Sequence, residues 1–299
     1  MDTRLDLPPT HDVIFSYIFR DISSSEAMLS LVNAIRIDKK KEPFESIVEL
    51  KSQYSQMGKS ADHKYGTLDV RVKAKDGSLI NIEMQVNPEP GMDQRMTYYA
   101  ANMISELKVG EEYHSLPKTD MIIIEGHGHK PNPDGRYHHS YSMRDDEPPH
   151  DPIAAWVGLH KLSLPTFADI EFDPENKLHW WMAYLGGRYS DEKFVEEACK
   201  VDMGIMQFAE RYNLSLNDPE VMDSYRFYKT GQLNYNSGMG EARREGRQEG
   251  RYGMLTSAYK AGISERKMRT IAKEDGMSAE EFDAMFKEIR KTVKPPRSM

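Results

Sequence analysis

The segment LDVRVKAKDGSLINIEMQ, residues 68–85, constrains the fold more than any other stretch of the chain. Apolar and polar residues alternate on both sides of Lys75-Asp76-Gly77, the pattern of two half-buried antiparallel strands joined by a tight turn. Leu68, Val70, Val72 and Ala74 must share a face with Ile80, Ile82, Met84 and Val86, and that requirement fixes the register. A two-residue Asp76-Gly77 loop would set Val70 against Glu83, core against charge. A three-residue loop with Gly77 left-handed instead pairs Ala74 with Ser78, Val72 with Ile80 and Val70 with Ile82. In that register Asp69 stands opposite Glu83, and Gln85 follows on the same polar stripe.

Like charges directly opposite across an antiparallel pair are destabilising, and two close carboxylates resist joint ionisation unless a cation lies between them. Hard oxygen ligands on a rigid sheet, with positions left for water and phosphate, suit Mg²⁺. Such an ion can polarise a phosphodiester. The alternative is that Asp69 and Glu83 pair with Arg71, Lys73 or Lys75 on a wet face.

The rest of the chain supplies an α/β core. HDVIFSYIFRD (11–21) and EAMLSLVNAIR (26–36) have helical apolar spacing, with Thr10 or Asp12 as the expected cap of the first. ESIVELKSQY (45–54) reads as a strand, DQRMTYYAANMISELKVG (93–110) as a helix stopped by Gly110, and TDMIIIEG (119–126) as a buried strand. An extended loop follows over 127–152, with a short strand at YHHSYSM, and IAAWVGLHKL (153–162) gives a further strand. Three helical stretches come next: ENKLHWWMAYLG, DEKFVEEACKVDMGIMQFAERY and DPEVMDSYRFYKT. EARREGRQEGRYGMLTSAYKAG carries Gly240, Gly246 and Gly250 and is expected to fray as a charged surface helix. The order predicts a mixed sheet flanked by helices and a mostly helical C-terminal half.

Charge distribution bears on partners. Residues 36–75 hold 10 Lys/Arg against 6 Asp/Glu, residues 76–240 hold 14 against 27, and residues 241–299 hold 14 against 10. Two mildly basic segments inside an acidic average allow a polyanionic partner, and ordinary solvated surface explains them equally well. One cysteine, Cys199, excludes an intramolecular disulfide and a cysteine cluster for zinc. MDTRLDLPPT has no apolar core of a signal peptide, and no apolar run approaches a bilayer span, so the expectation is a reduced, cytoplasmic setting without membrane insertion.

A first acid, a short hairpin and then Glu-x-Gln resembles the layout of the PD-(D/E)XK nucleases. The fuller string is similar to one branch, the PD-(D/E)XK family transposases related to the recombination-promoting nucleases. The matching residues are HDVIFSYIF, NAI at 33–35, LDV at 68–70, INIEMQ at 80–85, QRMTYYAANM at 94–103, GEEY at 110–113 and MIIIEG, then YHHSYSMRD, Lys161 and EARREGRQEGR. The resemblance runs from about residue 10 to 280 and is most specific over 68–113. It implies a restriction-endonuclease-like core over 8–165, a helical subdomain packed on it over 166–236 and a charged helical tail over 237–299. It also implies a Mg²⁺-dependent DNA endonuclease, with other divalent cations allowed, and a homo-oligomer is compatible with it. A second reading is a nuclease-like domain that binds nucleic acid or protein with weak or no cleavage.

Carried over by the resemblance, Asp69 and Glu83 are the metal-binding acids. Gln85 takes the place of a lysine found in most nucleases of the wider superfamily; it can orient water or bind a phosphate, and it offers no positive charge. Arg95 can clamp a phosphate or pair with Glu89 or Asp93. Asp12 either reaches the metal or caps its helix. Tyr98 and Tyr99 are expected to pack the helix on the sheet. His127, His129, His138 and His139 read as solvated loop histidines, and Trp180 and Trp181 as core. Residues 261–286 have a helix-turn-helix outline whose own acids argue for a packing or oligomerisation element.

Overall fold

The computed structural model describes residues 7–52, 70–104, 112, 116–151 and 157–294. Among these, six strands form one mixed sheet in the order β1-β2-β3-β4-β6-β5: β1 (Ile47–Ser52), β2 (Val70–Ala74), β3 (Leu79–Gln85), β4 (Thr119–Glu125), β5 (His138–Ser142) and β6 (Val157–Ser163). β1, β2 and β3 are antiparallel; β3, β4 and β6 run parallel; β5 closes the far edge antiparallel to β6. The hairpin has the register expected of a three-residue loop. Val70 pairs with Ile82 and Val72 with Ile80, the Ala74 amide donates to the Ser78 carbonyl at 2.9 Å, and Gly77 sits at φ +88°.

One face of the sheet carries the main core. Helices α1 (Asp12–Ile18) and α2 (Ser25–Asp38) belong to it, with α4 (Leu164–Phe167), α5 (Lys177–Leu185), α6 (Glu192–Val201) and α7 (Met203–Ser215). Val70, Val72, Ile80, Ile82, Met84, Ile122 and Ile124 point into it, against Ile14, Phe15, Met28, Leu31 and Ile35. Trp180 and Trp181 are core residues of α5, as their spacing predicts. Helix α3 (Met92–Ile104) covers the opposite face, where Met92, Met96 and Ala100 pack on Met121 and Ile123.

Local chemistry explains several departures from expectation. The cap of α1 is His11, whose Nδ1 accepts from the Val13 amide at 3.3 Å, and neither Thr10 nor Asp12 caps it. The stretch 191–212 is two helices because the Asp202 carboxylate accepts from the Gly204 amide at 2.7 Å and starts α7 anew. Residues 241–260 are helical as expected, and they continue one long helix, α8 (Pro219–Lys260). Tyr98 is 63% exposed, against the expected packing on the sheet, while Tyr99 joins the α3 layer.

By contacts the chain divides into the units Met1–Tyr228 and Lys229–Met299. The second has its own core, in which Leu255 of α8 meets Met268 and Ala272 of α9 (Glu265–Glu274) and Phe282, Phe286 and Ile289 of α10 (Ala279–Thr292). A capping box between Ser278 and Glu281 starts α10. Side chains added at Gly238, Gly246, Gly250 and Gly253 of α8 would meet open space. Among the described residues, no helix is long and apolar enough to cross a membrane.

Candidate active site

Strand β3 is buried on both faces. Asn81, Glu83 and Gln85 lie opposite the main core, and they are 2%, 0% and 4% exposed. The hairpin's alternation predicts a wet stripe here, and the cover laid by α3 makes it an interior one. In-register parallel neighbours share a face, so β3, β4 and β6 align Glu83 with Ile123 and Lys161 in one row. The next row, nearer the strand ends, holds Gln85, Glu125 and Ser163. The polar groups thus gather at the carboxyl ends of parallel strands, where open α/β sheets bind ligands.

Glu83 does not pair with Arg71, Lys73 or Lys75. Its Oε1 accepts from Arg95 Nη2, and Arg95 Nη1 lies 2.6 Å from Glu89 Oε2. Arg95, in the first turns of α3, therefore bridges an interior and a surface carboxylate, more than the surface pair alone that its spacing to Glu89 suggests. Burial lowers the Arg95 pKa and the Glu83 carboxylate raises it, and the net direction is up. Asp12 Oδ2 accepts from Tyr228 Oη at 3.0 Å. Burial first, and then the negative charge of Glu89, push the Asp12 carboxyl up to about 6, against the opposing Tyr228 hydrogen bond. Gln85 Nε2 donates to the Asn87 carbonyl at 2.6 Å. That turns the amide oxygen elsewhere, and among the described residues the buried Oε1 has no hydrogen-bond partner. Asp69 lies outside the described residues.

Two residues that sequence reasoning did not single out as a pair join the site. Lys161 Nζ is 3.0 Å from Glu125 Oε1 and 3.5 Å from Asp93 Oδ1. His129 Nδ1 reaches the same Glu125 oxygen at 3.5 Å. The acid closing MIIIEG and the lysine of HKL are the only signals in the sequence, and they connect only once the parallel register is known.

On the same sheet face, β1 and β2 are open to solvent. Lys51 pairs with Arg71 and Glu49 with Lys73. These residues, with Leu79 and Met103, line a groove of about 310 Å³. It is a net basic shelf beside the polar rows.

The loop histidines divide. His138 is not solvated: it belongs to β5 and is 2% exposed. Lys41 Nζ lies 2.9 Å from His160 Nε2, His160 Nδ1 is 2.9 Å from His138 Nε2, and His138 Nδ1 is 2.7 Å from Asp38 Oδ2. An ammonium only donates and a carboxylate only accepts, so each imidazole donates from Nδ1 and accepts at Nε2. Burial first, and then Lys41, hold His160 far below its ordinary value. His127 contacts the Gly186 carbonyl at 3.0 Å, and His139 contacts Asp134 at 2.9 Å.

Among the described residues, no three His, Cys, Asp or Glu side chains converge as a metal site. The donors present are still hard oxygens: the Glu83 carboxylate and, beside it, the Gln85 Oε1 that has no hydrogen-bond partner among the described residues, with Asp12 pushed toward protonation first by burial and then by Glu89. That chemistry fits a divalent cation of the magnesium or manganese type and not a thiophilic one.

A family model described as PD-(D/E)XK nuclease family transposase matches residues 9–241 of the chain. No curated protein matches it, and no solved structure matches it.

Proposed function

The chain belongs to the PD-(D/E)XK nuclease family transposases, and from that premise we propose that it is a divalent-metal-dependent endonuclease hydrolysing phosphodiester bonds in DNA. The observation that carries this reading is the buried pair of Glu83 and Gln85 toward the strand ends, on the sheet face that also bears Lys51, Arg71 and Lys73. A polyanion laid across that basic shelf would run toward the acids.

Asp69 and Glu83 would hold the cation, with Mg²⁺ the expected ion. When bound, the cation supplies positive charge that polarises the phosphodiester. Gln85 would orient a water through its amide oxygen, while its Nε2 donates to the Asn87 carbonyl. Arg95 would hold Glu83 in place and keep the buried carboxylate ionised. Asp12 would add negative charge at the edge of the site, next to Glu89.

One observation favours a second reading, a nucleic-acid-binding module with weak cleavage: Arg95 already engages Glu83, and position 85 offers no cation. A supercoiled-plasmid assay separates the two. Wild type should nick with Mg²⁺ or Mn²⁺ and stop with EDTA, and Glu83→Gln should not nick while retaining its melting curve within a few degrees. Normal nicking by Glu83→Gln would overturn the assignment. Duplex binding by a wild type that never cuts would favour the second reading.

A further inference from the structure

We propose that Lys161 is a catalytic residue that supplies, from two strands away, the positive charge that position 85 lacks, by contacting the phosphate undergoing hydrolysis. This rests on the phosphodiesterase reading above and deepens it.

The need comes from charge. Hydrolysis of a phosphodiester forms one P–O bond to the incoming water oxygen and breaks another, and negative charge builds on the phosphoryl and leaving oxygens. Fixed donors aimed at that charge are among the largest contributions to catalysis. Gln85 can donate only through Nε2, one of whose two N–H groups goes to the Asn87 carbonyl, and it carries no positive charge. Arg95 is turned to Glu83, the acid that would hold the cation, and to Glu89, so its place is to position that acid.

Lys161 is placed to fill the gap. It occupies the same row as Glu83, with Ile123 between them. Two strand spacings put the backbones about 10 Å apart, a gap that an extended lysine side chain can half cross. Its ammonium is held on one side by Glu125, which is 5% exposed, and on the other by Asp93, whose side chain is 79% exposed. The group therefore sits between interior and solvent, at the carboxyl ends of β3, β4 and β6. Glu125 is the register partner of Gln85, so the ammonium stands next to the orphaned amide oxygen's row. Burial alone would lower the lysine's pKa, but Glu125 and then Asp93 outweigh it and the direction is up, so the charge persists at any working pH. Lysine acts here as a fixed cation and transfers no proton. Glu125, steadied by His129 at 3.5 Å, is its positioning residue.

A buried Lys–Glu pair with a purely structural role predicts different results, and five full-length proteins distinguish them: wild type, Lys161→Met, Lys161→Arg, Gln85→Lys and Lys161→Met/Gln85→Lys. Removing one charge-stabilising donor slows the chemical step about 10²–10³-fold in well-studied sites. Lys161→Met should lose at least about a hundredfold in kcat with little change in KM, and Lys161→Arg should stay within about tenfold of wild type. Adding Gln85→Lys to Lys161→Met should restore at least about tenfold, because the cation returns to the neighbouring row. Lys161→Met cutting within about threefold of wild type overturns the proposal, and so does a loss that Gln85→Lys fails to relieve. If the wild type does not cut DNA at all, the parent reading fails and the phosphate contact is still tested by metal-free binding to a short duplex. Lys161→Met should then lower the slope of log affinity against log salt by about one. An unchanged slope overturns the contact.

Discussion

Replacing Arg95 with methionine should be among the most costly single changes in the sheet. Methionine keeps most of the aliphatic stem and removes the guanidinium. The Glu83 side chain is 0% exposed, so its carboxylate would remain on the sheet face that α3 covers, without the Arg95 charge. Removing one member of a buried ion pair costs about 3–5 kcal/mol, because the survivor is uncompensated. Arg95 is itself 26% exposed, so water can partly refill its place and the lower end, about 3 kcal/mol, is the better figure. In a unit the size of Met1–Tyr228 each 1 kcal/mol moves Tm by about 2–4 °C, so the midpoint should fall by about 6–12 °C. Arg95→Met/Glu83→Gln should recover most of that loss, since neither member of the pair then carries charge. The assay is a set of melting curves for wild type, both single variants and the double variant in metal-free buffer near neutral pH. Arg95→Met within about 2 °C of wild type, or a double variant as unstable as Arg95→Met, would refute the view that Glu83 is an ion held by Arg95.

Three further outcomes are expected. Changing Lys51, Arg71 and Lys73 together to glutamine should lower the salt slope of DNA binding by about two to three and leave Tm nearly unchanged, as read by fluorescence anisotropy across a KCl series; an unaltered slope would mean that the shelf is not the DNA track. Asp69→Asn should abolish divalent-dependent cleavage and leave the metal-free midpoint level or higher, because it relieves repulsion with Glu83, and a drop of several degrees would mark Asp69 as structural. The third concerns acid. His160 is held far below its unfolded value of 6.5, so the unfolded chain takes up a proton that the native state refuses. Its contribution to stability is therefore complete above about pH 6.5 and falls by about 1.4 kcal/mol per pH unit below it. Urea titrations between pH 6 and 5 should show that slope shrinking by this amount in His160→Leu, whatever the variant's absolute stability; an identical slope would refute the assignment.

The hairpin was legible because its constraint is local. Alternation, a Lys-Asp-Gly turn and the demand that Val70, Val72, Ile80 and Ile82 share a face leave one register, the observed one. The second burial of β3 was not legible. It depends on α3 laying Met92 and Met96 over Met121 and Ile123, and alternation within a strand carries no information about what covers its polar side. Asp12 shows the same limit at longer range. As the first residue of a helix it looks like a cap, yet its carboxylate ends on Tyr228, 216 positions away. Lys161 and Glu125 lie on strands joined to β3 by crossovers, whose register no local rule fixes. His138 failed for a related reason: a polar, proline-rich context reads as loop, and only Asp38 and His160 arriving from other elements make burial affordable.

The glycines of α8 leave the second unit with untapped engineering headroom. Gly238, Gly246, Gly250 and Gly253 are helical, and an alanine methyl at any of them would touch nothing. Each glycine in a helix interior forgoes about 0.5–1 kcal/mol relative to alanine, so the four together forgo about 2–4 kcal/mol. A variant with all four replaced should therefore tolerate harmful changes elsewhere in Lys229–Met299 that would unfold the natural sequence, which makes this helix the place to start when building a hardened background for mutational scanning.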